Sequence, residues 1–128
     1  MNEHKKNPYW WASGTWFNIH AFAKNATTID TRKAFSIYLD IISSEIPCLK
    51  CQTHMKTYIR RNPIIYASDC FVWSWNFHNA INKMTKTKPI EYNALKRIYM
   101  GKNRICTNCG DDKPIRNSIG KKITFIRG

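Results

Sequence analysis

Acidic residues are scarce in this chain: 8 Asp+Glu stand against 21 Lys+Arg in 128 residues, a formal net charge of +13. The imbalance points to an anionic partner, whether nucleic acid, a phosphate-bearing cofactor, a membrane surface or an acidic protein. Long apolar runs are missing as well. No stretch approaches the roughly eighteen apolar residues that a membrane span needs, and the first twenty residues lack the charged-then-apolar order of a signal peptide. We therefore expect a cytoplasmic protein without a membrane span. A haem motif and a glycine-rich dinucleotide loop are also absent, which leaves covalent haem and a Rossmann-type site without a signature. Strand alternation is scarce before residue 100.

What is present is helical punctuation. Aliphatic and aromatic residues make up 43% of the chain, enough for one domain with its own core. "WWASGTWFNIHAFA" is apolar nearly all round and predicts a first helix buried on several sides, with Gly14 as a close-packing position. Ala34, Phe35, Tyr38, Leu39, Ile41, Ile42 and Ile46 recur at spacings of three and four, giving a second helix capped by Asp30 or Thr31 and stopped by Pro47. A third starts at Cys48, burying Cys51, Met55, Tyr58 and Ile59, and ends at "RRNP". A fourth, capped by Ser68 or Asp69, runs to about residue 85. Pro89 suits the first turn of a fifth, which Gly101 closes. The expected fold is all-α, a small bundle of four or five helices over residues 9–101, preceded by a tail at 1–8. Residues 102–128 hold seven Lys+Arg against two Asp and form a basic, largely irregular arm, with room for a short strand.

Cysteine is odd in number, arranged as Cys48/Cys51, a lone Cys70 and Cys106/Cys109. In a reducing compartment two CxxC pairs suggest metal ligation or redox work. Zinc could take four thiolates from them, although more than fifty residues separate the pairs and the first opens a helix. As a redox pair, Cys48 would sit at the positive end of the helix dipole, worth roughly 0.3 to 2 kcal/mol to a thiolate. Cys48 would then be the outer, attacked sulfur, and Cys51 the inner one facing whatever takes the electrons. The third reading is two small hydrophobes in a core, which is the plain reading of Cys70.

An onward acceptor has a possible seat in "WSWNFHNAINK". His78 and Asn82 are four apart, Trp75 precedes His78 by three and Asn79 precedes Asn82 by three, so the polar groups share a face with an aromatic plate. Lys83 and Lys86 extend it by about one turn. A planar ring could lie on Trp75, with amides at its edge and lysines at phosphates. Otherwise these buried polar groups must satisfy one another or the backbone.

Taken in order, "WWASGTWFNIH", "IPCLKCQTHM" and "FVWSWNFHNAINK" resemble the three signatures of the Erv/ALR family of FAD-linked sulfhydryl oxidases, most closely its short, virus-encoded members. These signatures are a tryptophan four before a histidine, a proline-led CxxC, and a His-Asn-x-(Val/Ile)-Asn run. The resemblance covers about residues 9–100. It implies an FAD-binding helical bundle in which Trp16, His20, Trp75, His78, Asn79 and Asn82 surround the cofactor. Trp73 would be core or cofactor wall, Lys83 and Lys86 would lie on the pyrophosphate or ribose side, and Tyr99 would be a late aromatic contact. There are departures: "WA" at Trp11-Ala12 replaces the family's "WG", and the cysteine that many cellular members place after the His-Asn run is missing.

The implied activity is thiol oxidation. A protein dithiol or a thioredoxin-like relay would reduce the Cys48–Cys51 disulfide, directly or through a shuttle pair at Cys106/Cys109, and electrons would pass through FAD to O2, giving H2O2. The resemblance also implies a homodimer packed through the early helices, with Tyr9, Trp10 and Trp11 available for that contact or for the core. A viral source would place the protein in a host cytoplasm or a virion. The competing class is a zinc-binding, basic nucleic-acid module. The spread of charge over many helices argues against nucleic acid as the partner.

Overall fold

Five α-helices follow one another in the computed structural model, which describes residues 7–101 and two short backbone segments at 115–116 and 122–123. They are α1 (Ala12–Asn25), α2 (Ile29–Glu45), α3 (Leu49–Arg61), α4 (Cys70–Met84) and α5 (Tyr92–Met100), with a 3-10 turn at Ile64–Tyr66. The two segments that follow the helices in sequence, β1 (Ile115–Arg116) and β2 (Lys122–Ile123), pair antiparallel with Ile115 opposite Ile123. The fold is thus all-helical over the bundle, as the periodicity predicts.

Local chemistry sets the helix boundaries. Thr28, earlier than the expected Asp30 or Thr31, caps α2: its hydroxyl takes the Thr31 N–H while the Thr31 hydroxyl takes the Thr28 N–H. This reciprocal box satisfies two of the donors that a helix start leaves unpaired. Asp69 caps α4, its Oδ1 accepting from the Phe71 and Val72 amides at 2.8 and 3.2 Å. Pro89 is not in the first turn of α5. Asn79 and Trp75 hold both backbone groups of Ile90, so that residue stays outside the helix and α5 begins only after Glu91.

The core lies where α1, α2, α3 and α4 meet. Ile19, Phe35, Leu39 and Phe77 are fully buried, and Met55 nearly so; each such side chain contributes roughly 1.5–3 kcal/mol of transfer free energy. Tyr58 of α3 stacks on Phe77, and Trp73 lies between Phe35 and Tyr58 with its indole N–H donated to the Asn62 carbonyl at 2.8 Å. Trp73 is therefore core. The guanidinium of Arg32 donates to the carbonyls of Ala67 and Ser68, tying α2 to the approach into α4.

Two helices are less enclosed than their sequences suggest. On α1, Trp16, Ile19, His20 and Ala23 are buried, but Phe17 is 55% exposed. Gly14 is exposed, and a Cβ built there would meet nothing within 4 Å, so it is not a close-packing position. On α2, Ile41 faces solvent although it falls within the apolar stripe.

Candidate active site

Cys48 stands just outside α3 as its N-cap, in extended backbone, and its Sγ accepts the Cys51 amide at 3.1 Å. Pro47 and the side chain of Gln52, which donates to the Ile46 carbonyl at 2.8 Å, fix the turn that delivers it. Cys48 and Cys51 are joined as a disulfide, with their Cα atoms 5.2 Å apart. The two sulfurs have different surroundings. Cys48 is half-buried, while Cys51 is 6% exposed and lines a cavity of about 450 Å³ between α1, α3, α4 and α5.

The aromatic wall of that cavity is a stacked pair from two helices. Trp16 of α1 lies on His78 of α4 with ring centroids 3.9 Å apart and planes within 6°. His20, one turn beyond Trp16, places its Nε2 2.8 Å from His78 Nδ1 and its Nδ1 2.9 Å from the Ser74 hydroxyl. Burial pushes His20 down to about 4, and burial together with the neighbouring His20 pushes His78 down to about 3. Both rings are neutral at pH 7. Tyr99 of α5 closes the other side, 5.5 Å from His20 and 5.7 Å from Phe17 by ring centroid. Its carbonyl takes the Lys24 ammonium at 2.7 Å, which pins α5 to α1. Burial raises the Tyr99 phenol above its ordinary range.

Of the residues singled out in the sequence, Trp16, His20, Cys51, His78, Asn82 and Tyr99 line this one cavity. Trp75 and Asn79 do not. The Trp75 indole donates to the Ile90 carbonyl at 2.7 Å, and the Asn79 amide both donates to that carbonyl at 3.0 Å and accepts the Ile90 N–H at 2.7 Å. Asn82 donates to the Lys88 carbonyl at 3.3 Å. The face carrying Trp75, Asn79 and Asn82 thus secures the 85–91 connection, and the flat plate of the cavity is Trp16. Lys83 and Lys86 are exposed at the end of α4, where Lys86 takes a left-handed φ of 57°. Cys106 and Cys109 lie outside the described residues. Cys70 is a free, buried thiol whose pKa burial raises.

Other members of the site were legible but unread. His78, Ile81 and Thr85 fall at spacings of three and four, so the stripe that carries His78 to the cavity also carries the other two. Tyr9 and Trp11 line the cavity as well, the Trp11 indole donating to the Pro8 carbonyl at 3.2 Å. No three His, Cys, Asp or Glu side chains converge on a metal position among the described residues, and the first pair's sulfurs are bonded to each other. No helix of the described residues is long and apolar enough to cross a membrane.

Comparison with known proteins agrees with this arrangement. A family model described as Erv1 / Alr family matches residues 13–104. FAD-linked sulfhydryl oxidases of African swine fever virus are similar in sequence: the protein of a Kenyan pig isolate is 30% identical over 95 residues, and that of a Malawian tick isolate 28%, each match covering 70% of this chain and 79% of the relative. Since the match spans all five helices and the CxxC they frame, the chain belongs to the Erv1/Alr family.

Proposed function

We propose that the chain is an FAD-dependent thiol oxidase that makes disulfides in dithiol substrates and reduces O2 to H2O2. One observation carries this reading: the inner sulfur of a helix-capping disulfide lines a cavity walled by a stacked Trp16–His78 pair, while the outer sulfur lies outside it. The residues present fit a flavin. The cavity volume is within the range of cofactor pockets, its walls are aromatic and apolar, and His78 Nε2 has no partner among the described residues. Trp16, His20, His78, Asn82 and Tyr99 would hold the cofactor, with Trp75 and Asn79 supporting the strap that carries Tyr99. Lys83 and Lys86, beside the cavity-lining Thr85 and Thr87, would supply positive charge for its phosphates.

The chain's own part begins at Cys48. A substrate thiolate attacks its Sγ in line with the disulfide, forming a mixed disulfide and releasing Cys51 as a thiolate. The second substrate thiol then displaces Cys48, so the substrate leaves oxidised and the pair is left as a dithiol. Accessibility favours this direction of attack, since Cys48 is the more exposed sulfur. The Cys51 amide that donates to Cys48 Sγ at 3.1 Å, with the dipole of α3 behind it, then stabilises the charge that Cys48 takes on when the second thiol displaces it. Bound FAD would accept the two electrons from the pair and pass them to dioxygen. Summed over the cycle, one dithiol and one O2 give one disulfide and one H2O2.

The oxidase unit is residues 9–101, with 1–8 as a tail and 102–128 as an arm whose Cys106/Cys109 pair relays electrons from protein substrates or a thioredoxin-like partner. Ile37 and Ile41, exposed four residues apart on α2, support a homodimer through the early helices. The viral relatives support a virus-encoded enzyme acting in a host cytoplasm or virion. The zinc-binding alternative has no comparable support, since its first two ligands are engaged in the disulfide. Purified protein tests the proposal: a flavin absorption spectrum and dithiothreitol-driven oxygen uptake with one peroxide per oxygen support it. A colourless protein that takes up no FAD, or that carries stoichiometric zinc, refutes it.

A further inference from the structure

The polar groups behind the cavity form a hydrogen-bonded chain that runs in one direction. Ser74 is completely buried, and its hydroxyl donates to the Phe71 carbonyl one turn back at 2.7 Å, the bond that a serine within a helix makes with the preceding turn. A hydroxyl has one proton, and this bond uses it. His20 Nδ1, 2.9 Å from the same oxygen, must therefore carry a hydrogen and donate it. With the ring neutral, His20 Nε2 is a bare acceptor. The group 2.8 Å away, His78 Nδ1, must then be the donor. The proton positions follow from the network.

The consequence falls on the cavity. A neutral imidazole has one N–H, and that of His78 is spent on His20, so His78 Nε2 presents only a lone pair. Trp16 covers one face of the His78 ring at 3.9 Å, which leaves the ring edge as the means of polar contact with an occupant. We propose that Ser74 is a positioning residue which, through His20, fixes the tautomer of His78, so that the cavity selects an occupant placing an N–H or O–H donor at His78 Nε2. This rests on the flavin reading only for the identity of the occupant. FAD has such donors in its amino, imide and hydroxyl groups, whereas its phosphates, being acceptors, would find no partner in His78 Nε2 and would be held by Lys83 and Lys86 at the end of α4.

Removing the Ser74 oxygen should reverse the chain. In Ser74→Ala the buried His20 Nδ1–H has no acceptor, and both rings are free to take the Nε2–H form, with His20 now donating to His78 Nδ1. His78 then meets the occupant with a hydrogen where a lone pair was needed. The experiment is a long-range proton–nitrogen correlation spectrum of histidine-labelled full-length protein at pH 7, paired with fluorescence titration of the same samples with FAD. Wild type should show Nδ1–H at His20 and His78, and Ser74→Ala should show Nε2–H at both and bind FAD about tenfold more weakly. Ser74→Thr, which keeps the oxygen, should restore the wild-type tautomers. Nε2–H at His78 in the wild type overturns the proposal without any variant being needed. Unchanged tautomers in Ser74→Ala, or reversed tautomers with unchanged affinity, overturn it too. A wild-type protein that shows the Nδ1–H pair and binds no FAD would overturn the flavin reading alone.

Discussion

The Ile90 carbonyl receives two side-chain donors, the Trp75 indole at 2.7 Å and the Asn79 amide at 3.0 Å, while the Ile90 N–H has one acceptor, Asn79 Oδ1 at 2.7 Å. Removing these groups singly and together should therefore be non-additive. Trp75→Phe deletes one bond and leaves the carbonyl satisfied, for about 1 kcal/mol. Asn79→Ala deletes two bonds and leaves the half-buried Ile90 N–H unpaired, for about 2–3 kcal/mol. The double variant leaves the carbonyl without either donor as well, and should exceed the sum of the singles by about 1 kcal/mol. Urea unfolding followed by circular dichroism measures each value from the midpoint and slope. The geometry also predicts weaker flavin binding in Asn79→Ala, because the strap it secures carries Leu95, Ile98 and Tyr99 into the cavity wall. Additivity within about 0.3–0.5 kcal/mol, or an Asn79→Ala loss below about 0.5 kcal/mol, would refute the reasoning.

Gly14→Ala should stabilise the protein by about 0.5–1 kcal/mol, since an added methyl meets nothing and the helix gains a better former; a lower unfolding midpoint would contradict the open position. Stability should fall as pH is lowered from the ordinary histidine value of 6.5 toward about 4. In that window the unfolded chain binds protons that folded His20, and His78 in the same sense, do not. For His20 alone the loss at pH 5 is about 2 kcal/mol, and equal thermal midpoints at pH 7 and pH 5 would show that the rings are not held neutral. Changing both Cys106 and Cys109 to serine should leave dithiothreitol turnover intact and slow oxidation of protein dithiols; equal rates on both substrates would remove the shuttle role from the arm.

Which parts of this were legible follows from the range of the forces involved. Helix α2 and the stop at Pro47 can be read because apolar spacing and backbone geometry are local. The CxxC at a helix start is equally local, so the unequal exposure of Cys48 and Cys51 can be read from their position. The fate of Trp75 and Asn79 is not local. Helical spacing places both beside Asn82, but only the path of residues 85–91 decides that their polar ends meet Ile90 and not the cavity. The same tertiary choice moved the start of α5 past Pro89. Phe17 and Ile41 were overestimated as core for a related reason: apolar character says that a side chain can be buried, and packing against neighbouring helices decides whether it is. Ser74 carried no signal, because its part depends on a histidine 54 residues away.

The central claim, that Cys51 is the sulfur through which electrons leave the disulfide, is tested most directly by dithiothreitol-driven oxygen uptake of Cys51→Ser measured beside its flavin spectrum. The account predicts a variant that still binds FAD and consumes no oxygen above background, because the cavity wall loses only the reacting atom. Oxygen uptake at the wild-type rate by flavin-loaded Cys51→Ser would contradict it.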